Sequence, residues 1–250
     1  MIPVSDSEKI AVRVKEVSKA FVRPDGKDFF LALDKVSFEV KKGSIVLISG
    51  SNGSGKSLLM KIIAGLTQAS RGSVETSSKP GLVFQEASSQ ILGETVWEDV
   101  CLGPKNQKIN RNEIPPIAED ALKQVSLTEK KDEIAEFLSG GEKRRLAVAS
   151  ILAMKKEILI FDEPYANLDY PGVKEVNALI KNLHKKNKTL ILLTHEIEKC
   201  LSLADKVIIL SKGKLVFEGS SQKALEENLE QYGIRNPLHT YTGLKDLIWE

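Results

Sequence analysis

"SIVLISGSNGSGKSLLMKIIAGL", Ser44 to Leu66, decides how this chain is read. Its first six residues are an apolar, β-branched run of the kind expected for a buried parallel strand. "KSLLMKIIAGL" has helical spacing and ends at a glycine. Between them "GSNGSGKS", Gly50 to Ser57, fits G-x-x-x-x-G-K-[ST] in the context that pattern needs, after a strand and at the start of a helix. The loop Gly50, Ser51, Asn52, Gly53, Ser54, Gly55 lets consecutive backbone N–H groups curl around a phosphate. Lys56 adds a mobile cation, and Ser57 adds a hydroxyl suited to a bound Mg²⁺.

A phosphate loop of this kind needs a carboxylate at the end of a neighbouring apolar strand, and "ILIFDEP" supplies one. Asp162 is expected to hold the Mg²⁺ shell. Glu163 beside it is placed to orient or deprotonate an attacking water. Further apolar runs, "TLILLTH" and "KVIILS", alternate with helix-like segments such as "PGVKEVNALIKNLHKK", which predicts a parallel sheet covered on both faces. Upstream, "KIAVRVKEVSKAF" and "LALDKVSFEV" show period-two alternation around the turn-like "RPDGKD", so the first 40 or so residues predict an antiparallel β layer. From Glu94 to about Phe137 the chain is helical in propensity, with breaks expected at "LGPKNQ" and "EIPPIAED" and no buried strand. "LHKKNK" reads as a solvated helix end or turn.

Composition narrows the partners. The 250 residues carry 36 Lys and Arg against 34 Asp and Glu, so no global field favours nucleic acid or an anionic membrane. Cys101 and Cys200 lie far apart without metal-ligand spacing, which fits two partly buried thiols in a reducing compartment. No run of about 18 apolar residues appears and the N-terminus lacks signal-peptide order, so a soluble, cytoplasmic chain is expected.

A last stretch, "LSGGEKRR", puts two helix-weakening glycines next to a good helix start. With "VFQ", "ILIFDEP", "ANLD" and "LLTHE" in this order, the sequence from Val12 to Gly219 resembles an ABC-type ATPase subunit, with "LSGGE" as the family signature. The resemblance implies a P-loop NTPase α/β core (about residues 1–93 and 138–220), an inserted helical subdomain (about 94–137) and a C-terminal helical extension (about 221–250). It implies two cassettes paired head to tail, each signature closing over the nucleotide held by the other. On that reading Ser139, Gly140 and Gly141, before a helix starting near Glu142, face a partner's nucleotide, as does Asp169 in "ANLD". Gln85 in "LVFQ" touches Mg²⁺ or the attacking water, and His195 in "LLTHE" senses the γ-phosphate. Phe21 in "SKAF" stacks on adenine, and Leu58 joins the nucleotide-binding loop where many members have threonine. Asn167 stands where small or glycine-like residues are common.

"FQEASSQILGETVWEDVCLGP" resembles energy-coupling factor (cobalt or vitamin type) importer ATPases more specifically. That implies an enzyme using ATP and Mg²⁺ at the cytoplasmic face of the membrane. Its implied partners are a second ABC ATPase subunit, identical or different, a transmembrane coupling protein and a small substrate-binding membrane protein, without nucleic acid. Another ABC importer or exporter ATPase is the nearer alternative. A chromosome-structuring or repair ATPase would place a long coiled coil between the phosphate loop and the signature, and Lys56 to Ser139 leaves no room for one. Within this importer reading, Gln90 to Pro104 is expected to dock the coupling protein, with Ile91, Leu92, Val96 and Trp97 as apolar anchors rimmed by Glu94, Glu98 and Asp99.

Overall fold

A computed structural model describes residues 9–23, 26, 28–240 and 242–243. Part of the expected turn at 23–28 and the end of the expected C-terminal extension, Tyr241 and residues 244–250, lie outside the described residues.

Two sheets organise the chain. β1 (Ile10–Val22), β2 (Phe29–Lys41) and β4 (Arg71–Thr76) form an antiparallel sheet in the order β2-β1-β4. The second sheet has the order β5-β6-β7-β3-β8-β9, comprising β3 (Ile45–Ser49), β5 (Gly81–Val83), β6 (Ile158–Asp162), β7 (Thr189–Leu193), β8 (Lys206–Ser211) and β9 (Lys214–Gly219). It is parallel except for the β8–β9 hairpin at its edge.

The uniform apolarity of β3 follows from burial on both faces. Ile45 and Leu47 join a core with the helices α2 (Val96–Asn106), α3 (Ile114–Gln124), α4 (Gly140–Ala153) and α5 (Tyr170–Lys185). Val46 and Ile48 join a second core with the small sheet and α1 (Lys56–Ile63). Side chains alternate along a strand, so one five-residue run ties both layers to the sheet.

Several local expectations are corrected. Strand β6, which ends at Asp162, does not border β3; β7 lies between them, and the carboxylates reach the phosphate loop from two strands away. The break expected at "LGPKNQ" falls at its end and not at its Gly-Pro, because α2 runs through Pro104 to Asn106 and is capped by Gln107. In "EIPPIAED" the prolines open α3, where a missing N–H costs nothing. The helix after the signature starts at Gly140 rather than near Glu142. Strands β4, β5 and β9 carry no strong strand pattern, and β5 is only three residues long. Beyond β9, the described chain forms α6 (Ser221–Glu226) and a short 3₁₀ turn at Leu229–Tyr232.

Candidate functional site

The loop after β3 has the backbone its glycines allow. Gly50, Gly53 and Gly55 have φ values of +143°, +78° and +102°, where other residues are strained. At two of them the surroundings also require glycine. A Cβ on Gly50 would lie 2.1 Å from the Leu210 carbonyl oxygen, and one on Gly55 would lie 2.7 Å from Leu33 Cδ2. The β8–β9 turn supports the loop from behind, since Gly213 N donates to Ser54 O at 3.0 Å.

Lys56 is buried, and its Nζ donates to the loop carbonyls of Gly50 at 2.5 Å and Ser51 at 3.1 Å. Burial pulls the ammonium below its ordinary range, while Glu163 and Asp162 act in the opposite sense. Asp162 is raised, first by burial and then by its neighbour Glu163. Lys56 and a hydrogen bond with Ser57 oppose the shift. The Ser57 hydroxyl, at the start of α1, and the Asp162 carboxylate, at the end of β6, are thus near enough to influence one another, a donor pair suited to a hard divalent cation.

Glu163 adopts φ of +45°, an unfavourable backbone for this residue that neighbouring bonds enforce. Its N–H donates to Leu193 O at 2.8 Å, across to the end of β7. Oε1 lies 3.0 Å from His195 Nδ1, and Oε2 is buried without a hydrogen-bond partner among the described residues. Ser54 Oγ is likewise buried and unpartnered. Buried polar atoms are almost always paired, so two such atoms at one cleft mark a place where a ligand and a water complete the bonding.

Asn52 to Leu58, Gln85, Glu163 and His195 line one cleft of about 630 Å³, with Asp162 outside its lining. Phe30, Leu31, Ala32, Lys212 and Gly213 close its other side. The aromatic at the cleft is Phe30, which sequence reasoning missed. Phe21 is not among the lining residues and stacks on Phe30 with centroids 5.6 Å apart. The missed signal was the apolar "FFL" at the start of β2, whose three residues stay 72%, 44% and 49% exposed, an unusual exposure for such residues in a strand.

The signature residues do not line this cleft. Ser139 caps α4 through a reciprocal box: its Oγ accepts from Glu142 N at 3.3 Å, and Glu142 Oε2 accepts from Ser139 N at 2.8 Å. A Cβ added to Gly140 or Gly141 would meet nothing within 4 Å, and neither glycine has positive φ. Nothing inside the described chain requires these glycines. Asp169 caps α5, accepting from Gly172 N at 2.9 Å. Asn167 adopts φ of +58°, so the departure at that position is a side chain that tolerates left-handed backbone.

The docking expectation for Gln90 to Pro104 changes in detail. Val96 is fully buried, and Trp97 packs partly against the core with Lys131 over its ring. Asp99 is 4% exposed and accepts from Leu92 N, Gly93 N and Ser150 Oγ, so it holds the segment together instead of rimming it. Glu98 is engaged in the capping box of Thr95. Leu92 remains 81% exposed.

A phosphate loop after one strand, a carboxylate pair at the end of a second and a histidine just past the end of a third together define an ATP-hydrolysing cassette. The chain belongs to the ABC transporter family, whose family profile matches residues 33–166. Among curated relatives, it is 37% identical over 243 residues to the energy-coupling factor transporter ATP-binding protein EcfA of Carboxydothermus hydrogenoformans, covering 92% of this chain and 88% of that protein. It is 42% identical over 207 residues to EcfA1 of Fusobacterium nucleatum, covering 77% and 78%. Among solved structures, it superposes with a TM-score of 0.79 and 29% identity on cbiO1 from Clostridium perfringens, described as part of the ABC transporter complex cbiONQ, over 92% of this chain and 96% of that one. A dimeric ATP-binding cassette in a post-hydrolysis state with ADP and Pi matches at TM-score 0.74 and 28% identity, over 84% and 98%. The chain is an ABC ATPase. Among the described residues no helix is long and apolar enough to cross a membrane.

Proposed function

We propose that this chain is the ATP-hydrolysing subunit of an energy-coupling factor type importer, powering uptake of a vitamin or transition-metal ion from the cytoplasmic face of the membrane. The observation that carries the ATPase chemistry is the Glu163–His195 pair facing the Lys56 loop, with Glu163 Oε2 left free. The importer type rests on the resemblance to proteins named for such transporters.

In this reading the loop N–H groups and the N-terminus of α1 bind the β- and γ-phosphates, and Lys56 exchanges its carbonyl partners for phosphate oxygens. Ser57, Asp162 and Gln85 would hold Mg²⁺, which supplies positive charge against the phosphate oxygens when bound. Glu163 Oε2 orients the attacking water and accepts its proton, while His195 fixes the carboxylate through Oε1. Phe30, with Phe21 stacked behind it, provides the aromatic face for the base. Ser139, Gly140, Gly141 and Asp169 serve the nucleotide of a second cassette, identical or different.

The membrane coupling protein docks beside Leu92, over a groove of about 280 Å³ lined by Ile91, Glu94, Ile134 and Glu136 among others. Exposed Leu92 and Phe137, 81% and 78%, offer anchors next to carboxylates, which suits a basic amphipathic helix. Affinity purification of the full chain from its native membrane tests the assignment. Recovery of a second cassette, a coupling protein and a small membrane protein supports it. Recovery of nucleic acid or ribosomes instead overturns it.

A further inference from the structure

Arg144, three residues into the basic run "EKRR", has no part in the roles above. It is 9% exposed, on the buried side of α4. Its Nη2 donates to Ala166 O at 3.2 Å, whereas Nη1 is buried with no hydrogen-bond partner among the described residues. Ala166 belongs to the turn that begins at Glu163, its N–H donating to Glu163 O at 3.1 Å. Glu86, the residue after Gln85, opens the 3₁₀ turn Ala87–Gln90 that packs against α4, and its charge favours the buried guanidinium. That carboxylate is exposed and accepts from Ser88 Oγ at 2.6 Å.

A buried cation with an idle donor is expensive, and an apolar side chain of similar length would pack at this place without that cost. Retaining arginine makes sense if the idle donor has a partner in another state, and the planar fork can hold two acceptors at once. We propose that Arg144 is a positioning residue: it ties the signature helix to the Glu163 turn through Ala166 and takes up the Glu86 carboxylate when nucleotide binds. The Gln85 loop, the Glu163 turn and the signature then move as one body. Since the signature serves the partner's nucleotide and Glu163 its own, the strut links the two sites of a dimer. This inference rests on the proposed roles of Glu163, Gln85 and Ser139.

The experiment measures steady-state hydrolysis and binding of a fluorescent ATP analogue for the full chain and for Arg144→Met, Glu86→Gln and the double variant. Arg144→Met should lower kcat about 30-fold and Glu86→Gln about 5-fold, with KM and analogue affinity within about twofold of the unmodified chain. The double variant should be no slower than Arg144→Met alone, because the two residues act through one contact. Multiplicative losses in the double variant, or an unchanged kcat in Glu86→Gln, would overturn the proposal. If Arg144→Met does not fold, Glu86→Gln decides alone, being a change to an exposed side chain. Glu163→Gln serves as the control. If that variant is inactive while the Arg144 and Glu86 variants keep full kcat, only the strut fails; if it keeps activity, the reading beneath it fails as well.

Discussion

The phosphate loop and the signature turn both depend on glycine, for opposite reasons. Gly50 and Gly55 have left-handed or extended-positive backbone and neighbours within 2.1 and 2.7 Å of any added Cβ. Gly140 and Gly141 have ordinary helical backbone and open space around them. The first site is completed by the chain's own atoms, so its glycines answer to the fold. In the second, nothing within the described residues calls for glycine, which is what half of a shared site would look like.

The largest expected effect lies in the completed site. Glu163→Gln keeps the shape and the contact with His195 but removes the proton acceptor, so kcat should fall by about 10²–10⁴ with ATP binding retained. Sedimentation with ATP should show a nucleotide-sandwiched dimer accumulating. An unchanged hydrolysis rate would remove Glu163 from its role.

Next comes the signature. Ser139→Arg places a bulky cation in open space on the chain's own surface, so ATP affinity of the isolated chain should hold within about twofold while hydrolysis drops by about 10²-fold. Parallel loss of nucleotide binding in the monomer would place Ser139 in the cis pocket and erase the contrast between the two glycine sites.

The glycines themselves give the direct test. Gly55→Ala must hold φ of +102° and move Leu33, so stability should fall by about 1–3 kcal/mol. Gly141→Ala, in the first turn of α4, should leave the fold intact or raise its stability by about 0.5 kcal/mol, since alanine is the better helix former. It should nevertheless lower hydrolysis by the assembled dimer. Denaturant titration and turnover, measured together, separate the two cases. Equal destabilisation at both positions would mean that the signature glycines are needed by this chain's own packing.

How much of this was legible in the sequence also divides by region. Local chemistry could be read: "GSNGSGKS" places Lys56 and Ser57, and "ILIFDEP" places Asp162 and Glu163, because each carries its functional groups in one short run. What depends on distant parts of the chain could not. The three residues of β5 form a strand only because β6 lies beside them, and Gly81 is needed because Ile151 of α4 would lie 2.3 Å from a Cβ there. Asp99 looks like a solvated carboxylate in a helical segment, and only the fold brings Ser150 to it. The insertion of β7 between β3 and β6 is a matter of topology, and no local pattern encodes it.

The smallest effect concerns the cap that shapes the signature turn. Glu142 is held at about 2, below its ordinary value of 4.5, first by Lys130 and then by the Ser139 N–H. A carboxyl with a depressed value in the folded state contributes stability that is fully present above pH 4.5 and is lost as pH falls towards 2. The ion pair with Lys130, at 2.9 Å, lies near the surface, so screening keeps its contribution small. Glu142→Gln keeps an oxygen to accept from Ser139 N, so the cap survives, and loses the charge that faces Lys130. Its melting temperature at pH 7 should therefore be about 1–3 °C lower than that of the unmodified chain. The difference should shrink as pH is lowered through 4 towards 3, where the native carboxyl begins to take up a proton while its unfolded counterpart is already protonated. Thermal melts at pH 7 and pH 3.5 check this. A gap that stays constant with pH would show that the cap geometry, and not the Lys130 charge, holds the signature turn in the shape a partner must meet.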